Sequence, residues 1–195
     1  MAVNTELIQQ LRSQTGAGIL DAKKALEEAN DDYEKAVEIL RKRGQKVAAK
    51  KQDRVASEGL VEAYIHGAGR VGVLLKINCE TDFVARTDKF KELAHQVAMH
   101  IAAFNPTYIQ REDVPEEVIA KEKEVYKEVL LKEGKDESVI DKIMEGKLNK
   151  FFGEVCLLEQ DFVMDDKKTV NQVVTDAIGE IGENIQITDF KRISL

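Results

Sequence analysis

The spacing of apolar residues changes twice along the chain, and this change restricts the possible folds more than any other feature. Residues 1–44 carry apolar side chains at helical spacing, as at Ile19, Ala22 and Leu26. Residues 71–78 alternate apolar side chains with others, which is typical of a strand with one buried face. Helical spacing returns in the second half of the chain. A fold of the α+β class is therefore predicted.

The N-terminal residues are predicted to form a small module of three helices. Asn4 is placed to cap the first helix, with Val3 and Ile8 as a hydrophobic staple. Asp31 is placed to cap the third helix, and Gly44 follows a basic turn, which is how helices often end. A module of this size buries little area, so a role in holding a partner is more plausible than chemistry.

A β-hairpin is predicted next, from two β-rich runs at residues 59–65 and 71–78 joined by a glycine-containing loop, His66–Arg70. Residues 185–193 form the last predicted strand. The domain prediction is a docking module with a basic linker over residues 1–54, followed by an α+β core over residues 55–195.

The region after Pro115 predicts two amphipathic helices separated by Gly134. Together they form an antiparallel helical hairpin over about residues 115–152. Residues 154–164 are predicted to be extended, and Gly182 ends the last helix. The predicted architecture is thus a three-helix module, then a three-stranded antiparallel sheet packed with helices and a protruding helical hairpin.

Composition excludes several classes of protein. The chain has 195 residues, a net charge of −7 and 43% apolar residues, which is ordinary for a globular protein. It has no apolar run of about 20 residues, as a membrane helix needs, and no secretory signal. Two cysteines, Cys79 and Cys156, cannot build a disulfide framework, so a cytoplasmic location is expected.

The basic stretch Arg41–Arg54 leaves two interpretations open. It holds seven basic residues and one acidic residue. It can be a solvated helix end and linker, or it can bind nucleic acid, which would make the protein a nucleic-acid-binding or ribosome-associated adaptor. The acidic character of the rest of the chain speaks against the second interpretation.

Residues that could carry enzyme chemistry do not form a pattern. The phosphate-loop motif is absent from the sequence, and Gly16 and Gly18 are too few for a dinucleotide site. His95 and His100 are five residues apart on one predicted helix, which is poor spacing for a metal, so both are expected to face solvent or to be satisfied locally. A protein that is not an enzyme, without metal or cofactor, is therefore expected.

The segment Thr81-Asp82-Phe83-Val84 follows directly after the alternating strand, where a helix is predicted to begin. In one interpretation Thr81 or Asp82 caps the helix and Phe83 enters the core. In the other, Phe83 projects outward beside a carboxylate and anchors a partner. The pattern alone favours a core position for Phe83.

Several motifs occur in the order found in the bacterial translation elongation factor Ts family, which the chain resembles from end to end. They are Thr15-Gly16-Ala17-Gly18, Asp21-Ala22-Lys23-Lys24-Ala25-Leu26, Lys46-Val47-Ala48-Ala49-Lys50-Lys51, Asn78-Cys79-Glu80-Thr81-Asp82-Phe83-Val84-Ala85-Arg86, Met99-His100-Ile101-Ala102-Ala103 and Ile181-Gly182-Glu183-Asn184-Ile185. The resemblance implies a guanine nucleotide exchange factor for elongation factor Tu, in its GDP-bound and nucleotide-free states.

The resemblance also implies roles for individual residues. Thr81, Asp82, Phe83 and Val84 match the segment that disturbs the magnesium site of the partner, with Phe83 as a wedge. The N-terminal module resembles a ubiquitin-associated domain, and its matching contacts to the nucleotide-binding domain of the partner are Arg12, Ile19, Leu20 and Lys23. Contacts to the third domain of the partner match His66, Ile181, Gly182, Val163 and Met164.

The resemblance also implies an oligomeric state. Longer family members contain two copies of the sheet-and-helix core, whereas this chain has one, as in short members that pair as homodimers and bind two partner molecules. A three-stranded sheet with unpaired edges and an apolar face agrees with that expectation, because a second chain can cover the face.

Overall fold

The structure is a computed structural model that describes residues 4–195, apart from the side chains of Glu137 and Ser138. The predicted staple between Val3 and Ile8 therefore lies partly outside the described residues. None of the helices in this part of the chain is long and apolar enough to span a membrane.

Three helices form the N-terminal region, as predicted: α1 (Thr5–Thr15), α2 (Ile19–Glu28) and α3 (Tyr33–Lys51). The Asn4 side chain accepts a hydrogen bond from the Glu6 N–H (2.9 Å), which confirms the predicted cap. The cap of α3 is Asp32, which accepts from the Lys35 N–H (3.1 Å), and the prediction of Asp31 was wrong by one residue. Asp31 has a positive φ of 60° and lies in the turn before the helix.

Small residues let these three helices pack closely. Their shared core consists of buried side chains from all three helices and the turn after α2: Leu11, Ala22, Ala25, Leu26, Ala29 and Ala36. Ile19 and Leu20 lie outside this core. The apolar residues of α2 thus fall into two groups, one on the buried face of the helix and the other, two exposed residues, at its start.

Helix α3 continues past Gly44 to Lys51, so the predicted end at Gly44 was wrong. A glycine inside a helix costs about 1 kcal/mol relative to alanine, which the helix-favouring residues after it can offset. Gly44 also lies against α8 (Val170–Ile181), where a Cβ atom built on Gly179 would be 3.0 Å from the Gly44 Cα. The basic stretch is therefore mainly helix and not a flexible linker.

The main sheet has three antiparallel strands in the order β1 (Glu58–His66), β2 (Val71–Cys79) and β5 (Gln186–Ser194). The predicted alternation of β2 is confirmed, because Val73, Leu75 and Ile77 are buried while Leu74 is exposed. The predicted hairpin and final strand are present within one residue of their expected bounds.

Helices α4 (Asp82–Ala85) and α5 (Asp88–Phe104) follow β2, and α6 (Glu116–Lys132) packs against α7 (Glu137–Val155). The predicted extended segment 154–164 was only partly right. It contains the end of α7, a 3₁₀ turn at Leu157–Glu159 and the short strand β3 (Asp161–Phe162). Strand β3 pairs with β4 (Asp165–Thr169) in a second, two-stranded sheet.

The predicted α+β fold class is confirmed. The contacts divide the chain into two compact units. The first contains the residues up to Glu62, Lys76–His95 and Gln172–Thr188; the second contains Ala63–Leu75, Gln96–Asn171 and Asp189–Leu195. The boundary between residues 54 and 55 remains a sequence-based prediction.

Candidate protein-docking sites

The Thr81–Val84 segment lies at the junction between β2 and α4. Thr81 is the N-cap of α4, and its hydroxyl oxygen accepts from the Val84 N–H (3.4 Å). Phe83 is 79% exposed. The exposed phenylalanine leaves apolar surface in water at a defined position next to a carboxylate. The core interpretation of Phe83 is therefore wrong, and the expected outward projection is confirmed.

Asp82, next to Phe83 in the chain, forms an ion pair at the surface. Its carboxylate pairs with the Arg86 guanidinium one helical turn later (2.8 Å). Both side chains reach solvent, so the pair contributes little to stability. The pair lies next to an exposed ring, so a protein partner can contact charged and apolar groups at the same place.

Glu183 holds the backbone on which the Thr81–Val84 segment begins. One carboxylate oxygen, Oε2, accepts from the backbone N–H groups of Glu80 (3.1 Å) and Thr81 (3.0 Å). The other, Oε1, accepts from the Thr81 hydroxyl (2.7 Å). Sequence reasoning gave Glu183 no role, although it is part of a motif matched above. A single glutamate in a chain with 36 acidic residues gives no separate signal.

Asn184 connects Glu80 to the chain that follows α3. The Glu80 carboxylate accepts from the Asn184 backbone N–H (2.7 Å) and lies 3.4 Å from the Arg54 guanidinium. That backbone hydrogen bond, aided by the charge of Arg54, keeps the pKa of Glu80 below its ordinary value. The buried Asn184 side chain donates to the carbonyl groups of Gln52 (3.2 Å) and Arg54 (2.7 Å).

Ile19 and Leu20 form an apolar corner at the first turn of α2, 58% and 71% exposed respectively. The turn before them is held by Arg12, whose Nε donates to the Ala17 carbonyl (3.3 Å). Lys23 lies one turn after Ile19 and is 3.8 Å from Glu27. The structure thus brings together the four predicted contacts of the N-terminal module on adjoining parts of α1 and α2.

Ile181 and Gly182 lie at the end of α8. Gly182 has a φ of 84°, a left-handed conformation that glycine adopts without strain. The Lys51 ammonium group donates to the Gly182 carbonyl. These residues directly precede Glu183 and Asn184, so the predicted contact and the carboxylate that holds Thr81 share one short stretch of chain.

His66 lies at the end of β1, in the second compact unit. Its Nδ1 is 2.9 Å from the Tyr64 hydroxyl, and the two rings stack with centroids 5.9 Å apart. The loop after it turns through Gly67, Ala68 and Gly69, all with positive φ. An exposed imidazole ring, oriented by Tyr64, is therefore available at the tip of this hairpin.

Val163 and Met164 connect β3 to β4, and Met164 is 62% exposed. The buried His100 ring supports this turn, because its Nδ1 accepts from the Val163 N–H (3.2 Å) and its Nε2 is 3.0 Å from the Gln160 Oε1. The expectation that His100 is satisfied locally is confirmed. Burial lowers the pKa of His100, and the hydrogen bond to Gln160 opposes that shift only in part.

The basic stretch Arg41–Arg54 is largely engaged within the protein. Lys42 pairs with Glu38 (2.7 Å), and Arg43 pairs with Glu28 (2.7 Å). Lys51 and Arg54 make the contacts with Gly182 and Glu80 described above. Four of its seven basic residues therefore have intramolecular partners, which reduces the positive charge available to a phosphate backbone.

Metal-ligating side chains are scattered over the part of the chain that the structure describes. Within residues 4–195, Glu137 and Ser138 side chains excepted, histidine, cysteine and carboxylate groups do not come together in threes at a position that could hold a metal ion. Cys79 and Cys156 are both buried as free thiols.

Comparison with known proteins identifies the family. The sequence profile described as Elongation factor TS matches residues 3–195. The chain is 56% identical over 193 residues to Elongation factor Ts of Carboxydothermus hydrogenoformans, covering 99% of this chain and 89% of that protein. It is 54% identical over 195 residues to Elongation factor Ts of Thermotoga maritima, covering 100% and 97% of the two chains. The match extends over the motifs and elements described above, and the chain belongs to the elongation factor Ts family of translation elongation factors.

Proposed function

We propose that this protein is a guanine nucleotide exchange factor for elongation factor Tu and that it promotes GDP release by disturbing the magnesium and nucleotide site of that partner. The observation that carries the proposal is the exposed Phe83 beside Asp82 at a helix start that is held by hydrogen bonds to Glu183. Exchange makes and breaks no covalent bond, so the proposed activity requires no catalytic residue, metal or cofactor. The proposed place of action is the cytoplasm, where translation occurs.

Phe83 is proposed to act as a wedge in the partner. Burial of an exposed phenylalanine side chain is worth about 1.5–3 kcal/mol. A thousandfold loss of nucleotide affinity corresponds to about 4 kcal/mol. Because coupling is reciprocal, GDP must weaken the binding of this protein by the same factor by which this protein weakens GDP. The wedge therefore needs other contacts that hold the complex together while the nucleotide leaves.

The apolar corner of Ile19 and Leu20 is proposed to supply part of that binding energy. Arg12 and Lys23 border the corner and add positive charge around an apolar centre. Protein interfaces commonly combine a desolvated apolar centre with a polar rim. This corner is proposed to dock on the nucleotide-binding domain of elongation factor Tu.

A second set of contacts is proposed for the third domain of elongation factor Tu. In the second compact unit, these contacts are His66, Val163 and Met164, which lie at two hairpin tips. In the first unit, they are Ile181 and Gly182 at the end of α8. Contacts of this kind would keep the protein bound while Phe83 acts at the nucleotide site.

We propose that the protein forms a homodimer that binds two partner molecules, and the exposed face of the sheet supports the pairing of the two chains. Leu74 and Ile193 are 53% and 76% exposed, on strands that are neighbours in the sheet. The Ile65 side chain lies on the same face, because a Cβ atom built on Gly72 would be 3.3 Å from the Ile65 Cδ1. We propose that a second copy of the chain covers this apolar face.

The release of labelled GDP from elongation factor Tu tests the proposal. We expect release to accelerate with rising concentration of this protein and to saturate. An equal concentration of the Phe83→Ala variant serves as the matched control and should accelerate release far less. Unchanged GDP release in the presence of the wild-type protein would refute the exchange function.

The salt dependence of binding separates exchange from the nucleic-acid adaptor. A complex held by apolar anchors should weaken only moderately as salt rises, whereas binding to phosphates weakens steeply. Binding of this protein to elongation factor Tu and to ribosomal RNA fragments should be compared over the same salt range. Tight RNA binding with a steep salt slope, together with no effect on GDP release, would favour the adaptor.

A further inference from the structure

We infer that Glu183 is the positioning residue for Phe83: its carboxylate fixes the start of α4 and thereby sets the direction in which the aromatic ring projects. This inference rests on the proposed exchange function, in which Phe83 acts on the partner. It assigns a function-specific role to a residue that is not among the proposed contacts with elongation factor Tu.

Helix α4 cannot hold its own geometry. It has four residues, Asp82–Ala85, and isolated helices of fewer than about 12 residues are marginal in water. Phe83 makes no compensating core contact of its own, since its side chain is mostly exposed. The contacts that fix Thr81, the N-cap of this turn, therefore contribute to the orientation of the ring.

The polar groups of Thr81 are held from several sides. Its N–H and its hydroxyl both donate to Glu183, one to each carboxylate oxygen. Its carbonyl accepts from the Cys79 thiol (3.1 Å) and from the Ala85 N–H (3.2 Å). Burial raises the pKa of the Cys79 thiol, so the proton it donates is retained at neutral pH. Glu183 supplies the two contacts that come from a distant part of the sequence, whereas Cys79 and Ala85 are near neighbours of Thr81 in the chain.

Glu183 also orients the Thr81 hydroxyl so that its oxygen can cap α4. Because the hydroxyl proton points to Glu183, the oxygen lone pairs are free to accept from the Val84 N–H at the start of α4. A Thr81 hydroxyl without Glu183 can rotate, and the cap of α4 then loses its fixed geometry. The carboxylate thus acts on Phe83 through one intermediate residue.

The neighbouring contacts make this anchor rigid. Asn184 follows Glu183 in the chain, and its side chain and backbone N–H are fixed by the carbonyl groups of Gln52 and Arg54 and by Glu80. All of these residues belong to the first compact unit. The segment that leaves α3 and the segment that carries Phe83 are therefore both tied to the same two residues.

A double-mutant cycle distinguishes positioning from general stabilisation. The variants are Phe83→Ala, Glu183→Ala and the double variant, with Glu145→Ala as a matched control at an exposed glutamate of α7. Folding is checked by circular dichroism, and GDP release from elongation factor Tu is measured for each folded variant. We expect Glu183→Ala to reduce the acceleration of release roughly tenfold and Glu145→Ala to leave it unchanged.

The double variant gives the decisive comparison. If Glu183 acts only through Phe83, the double variant should release GDP no more slowly than Phe83→Ala alone. Effects that multiply would show that Glu183 acts independently of the ring, and this result would overturn the inference. So would a wild-type release rate for folded Glu183→Ala.

Glu183→Gln provides a conservative test that also serves if the alanine variant does not fold. The amide oxygen can accept from both backbone N–H groups, and the amide nitrogen can donate to the Thr81 oxygen. We expect this variant to retain most of the acceleration. A loss as large as that of Phe83→Ala would show that the negative charge matters and not the positioning, and would contradict the inference.

Hydrogen exchange of the Glu80 and Thr81 amides tests the anchor without any partner. In the free protein, Glu183→Ala should speed the exchange of both amides roughly tenfold or more, whereas Glu145→Ala should not. If both amides of Glu183→Ala exchange their hydrogens at the wild-type rate, the inference fails, even if the protein accelerates GDP release. If Phe83→Ala accelerates GDP release as the wild type does, the proposed wedge fails while the anchor itself stands.

Discussion

Phe83 and Phe90 lie seven residues apart and have opposite environments, one mostly exposed and the other fully buried. Truncation of a surface side chain usually changes stability by no more than about 0.5 kcal/mol, whereas Phe→Ala in a core costs about 3–5 kcal/mol. We therefore expect Phe83→Ala to melt like the wild type while its acceleration of GDP release falls. Phe90→Ala is the comparison and should melt much earlier. A large drop in the melting temperature of Phe83→Ala would contradict the exposed position.

His100 makes the stability of the protein depend on pH in a defined direction. Burial lowers the pKa of His100 in the folded state, so the unfolded chain takes up the proton first as the pH falls below about 6.5. The favourable contribution of neutral His100 is therefore complete above that pH and is lost progressively below it. Protonation of His100 also removes a hydrogen bond, because the Val163 N–H needs an unprotonated Nδ1 as its acceptor.

His100→Gln should be less stable than the wild type by about 1–3 kcal/mol near neutral pH, because it disturbs the acceptor for Val163 and the partner of Gln160. Its side chain does not titrate in this range. The difference in unfolding free energy between the two proteins should therefore shrink as the pH is lowered. Urea denaturation of both proteins at a series of pH values measures this difference, and growth of the difference in acid would refute the assignment.

The sequence pattern could not decide the environment of Phe83, because a β-to-α junction can direct a side chain either way. Family resemblance supplied the outward orientation, which the exposed surface of the ring confirms. The role of Glu183 was beyond any local pattern, since its hydrogen bonds reach Thr81 across 102 positions of the sequence. Contacts of such separation depend on the complete tertiary fold.

At the scale of elements, long periodic segments were predicted well and short ones were not. The helices α5, α6 and α7 and the strands β1, β2 and β5 follow clear apolar spacing. Strand β3 has two residues, which is too short for any period to be read. The end of α3 was misplaced because a glycine after basic residues often ends a helix, whereas α3 continues through Gly44 to Lys51. The close approach of the two helices requires a glycine at position 179, not at position 44.

The two glycines at this approach predict opposite effects of the same substitution. A Cβ atom at Gly44 would meet nothing within 4 Å, so Gly44→Ala should stabilise the protein by about 0.5–1 kcal/mol through helix propensity. A Cβ atom at Gly179 would press on backbone atoms of Gly44, so Gly179→Ala should destabilise the protein by about 1–3 kcal/mol. Chemical denaturation of both variants measures the change in the free energy of unfolding. Equal changes for the two substitutions would contradict the prediction.

The apolar corner of α2 predicts a loss of binding without a loss of folding. Ile19→Asp with Leu20→Asp places two charges at the first turn of the helix, where the helix dipole favours carboxylates. The melting temperature should therefore be retained. If both side chains are buried in the complex, affinity for nucleotide-free elongation factor Tu should fall at least about hundredfold.

A matched control for the corner is Val125→Asp with Val129→Asp, two exposed apolar residues of α6 that have no proposed contact. The affinity of this double variant for nucleotide-free elongation factor Tu, measured by calorimetry or surface plasmon resonance, should be unchanged. Undiminished binding of the Ile19 and Leu20 variant, or an equal loss in both variants, would remove the corner from the interface.

At the scale of the whole molecule, the exposed apolar face of the main sheet sets the expected assembly. Leu74 lies on the side of the sheet opposite the buried Val73 and Leu75. Ile193 follows Arg192, whose guanidinium donates to the Ala102 carbonyl of α5, so Ile193 points to the other side of the sheet. The apolar residues of this side are therefore available to a second copy of the chain.

Light scattering at micromolar concentration should give about twice the chain mass of 21.9 kDa for the wild type. Leu74→Lys should shift the mass toward that of one chain, because two lysines would meet or be desolvated in a symmetric interface. Leu131→Lys, at an exposed leucine of α6, is the control and should remain a dimer. Reductant should leave the mass unchanged, since both cysteines are buried and burial raises the pKa of Cys156 to about 11, which keeps its thiol protonated and unreactive at neutral pH. A wild type that is monomeric yet accelerates GDP release, or a Leu74→Lys variant that stays dimeric, would show that this face does not pair two chains.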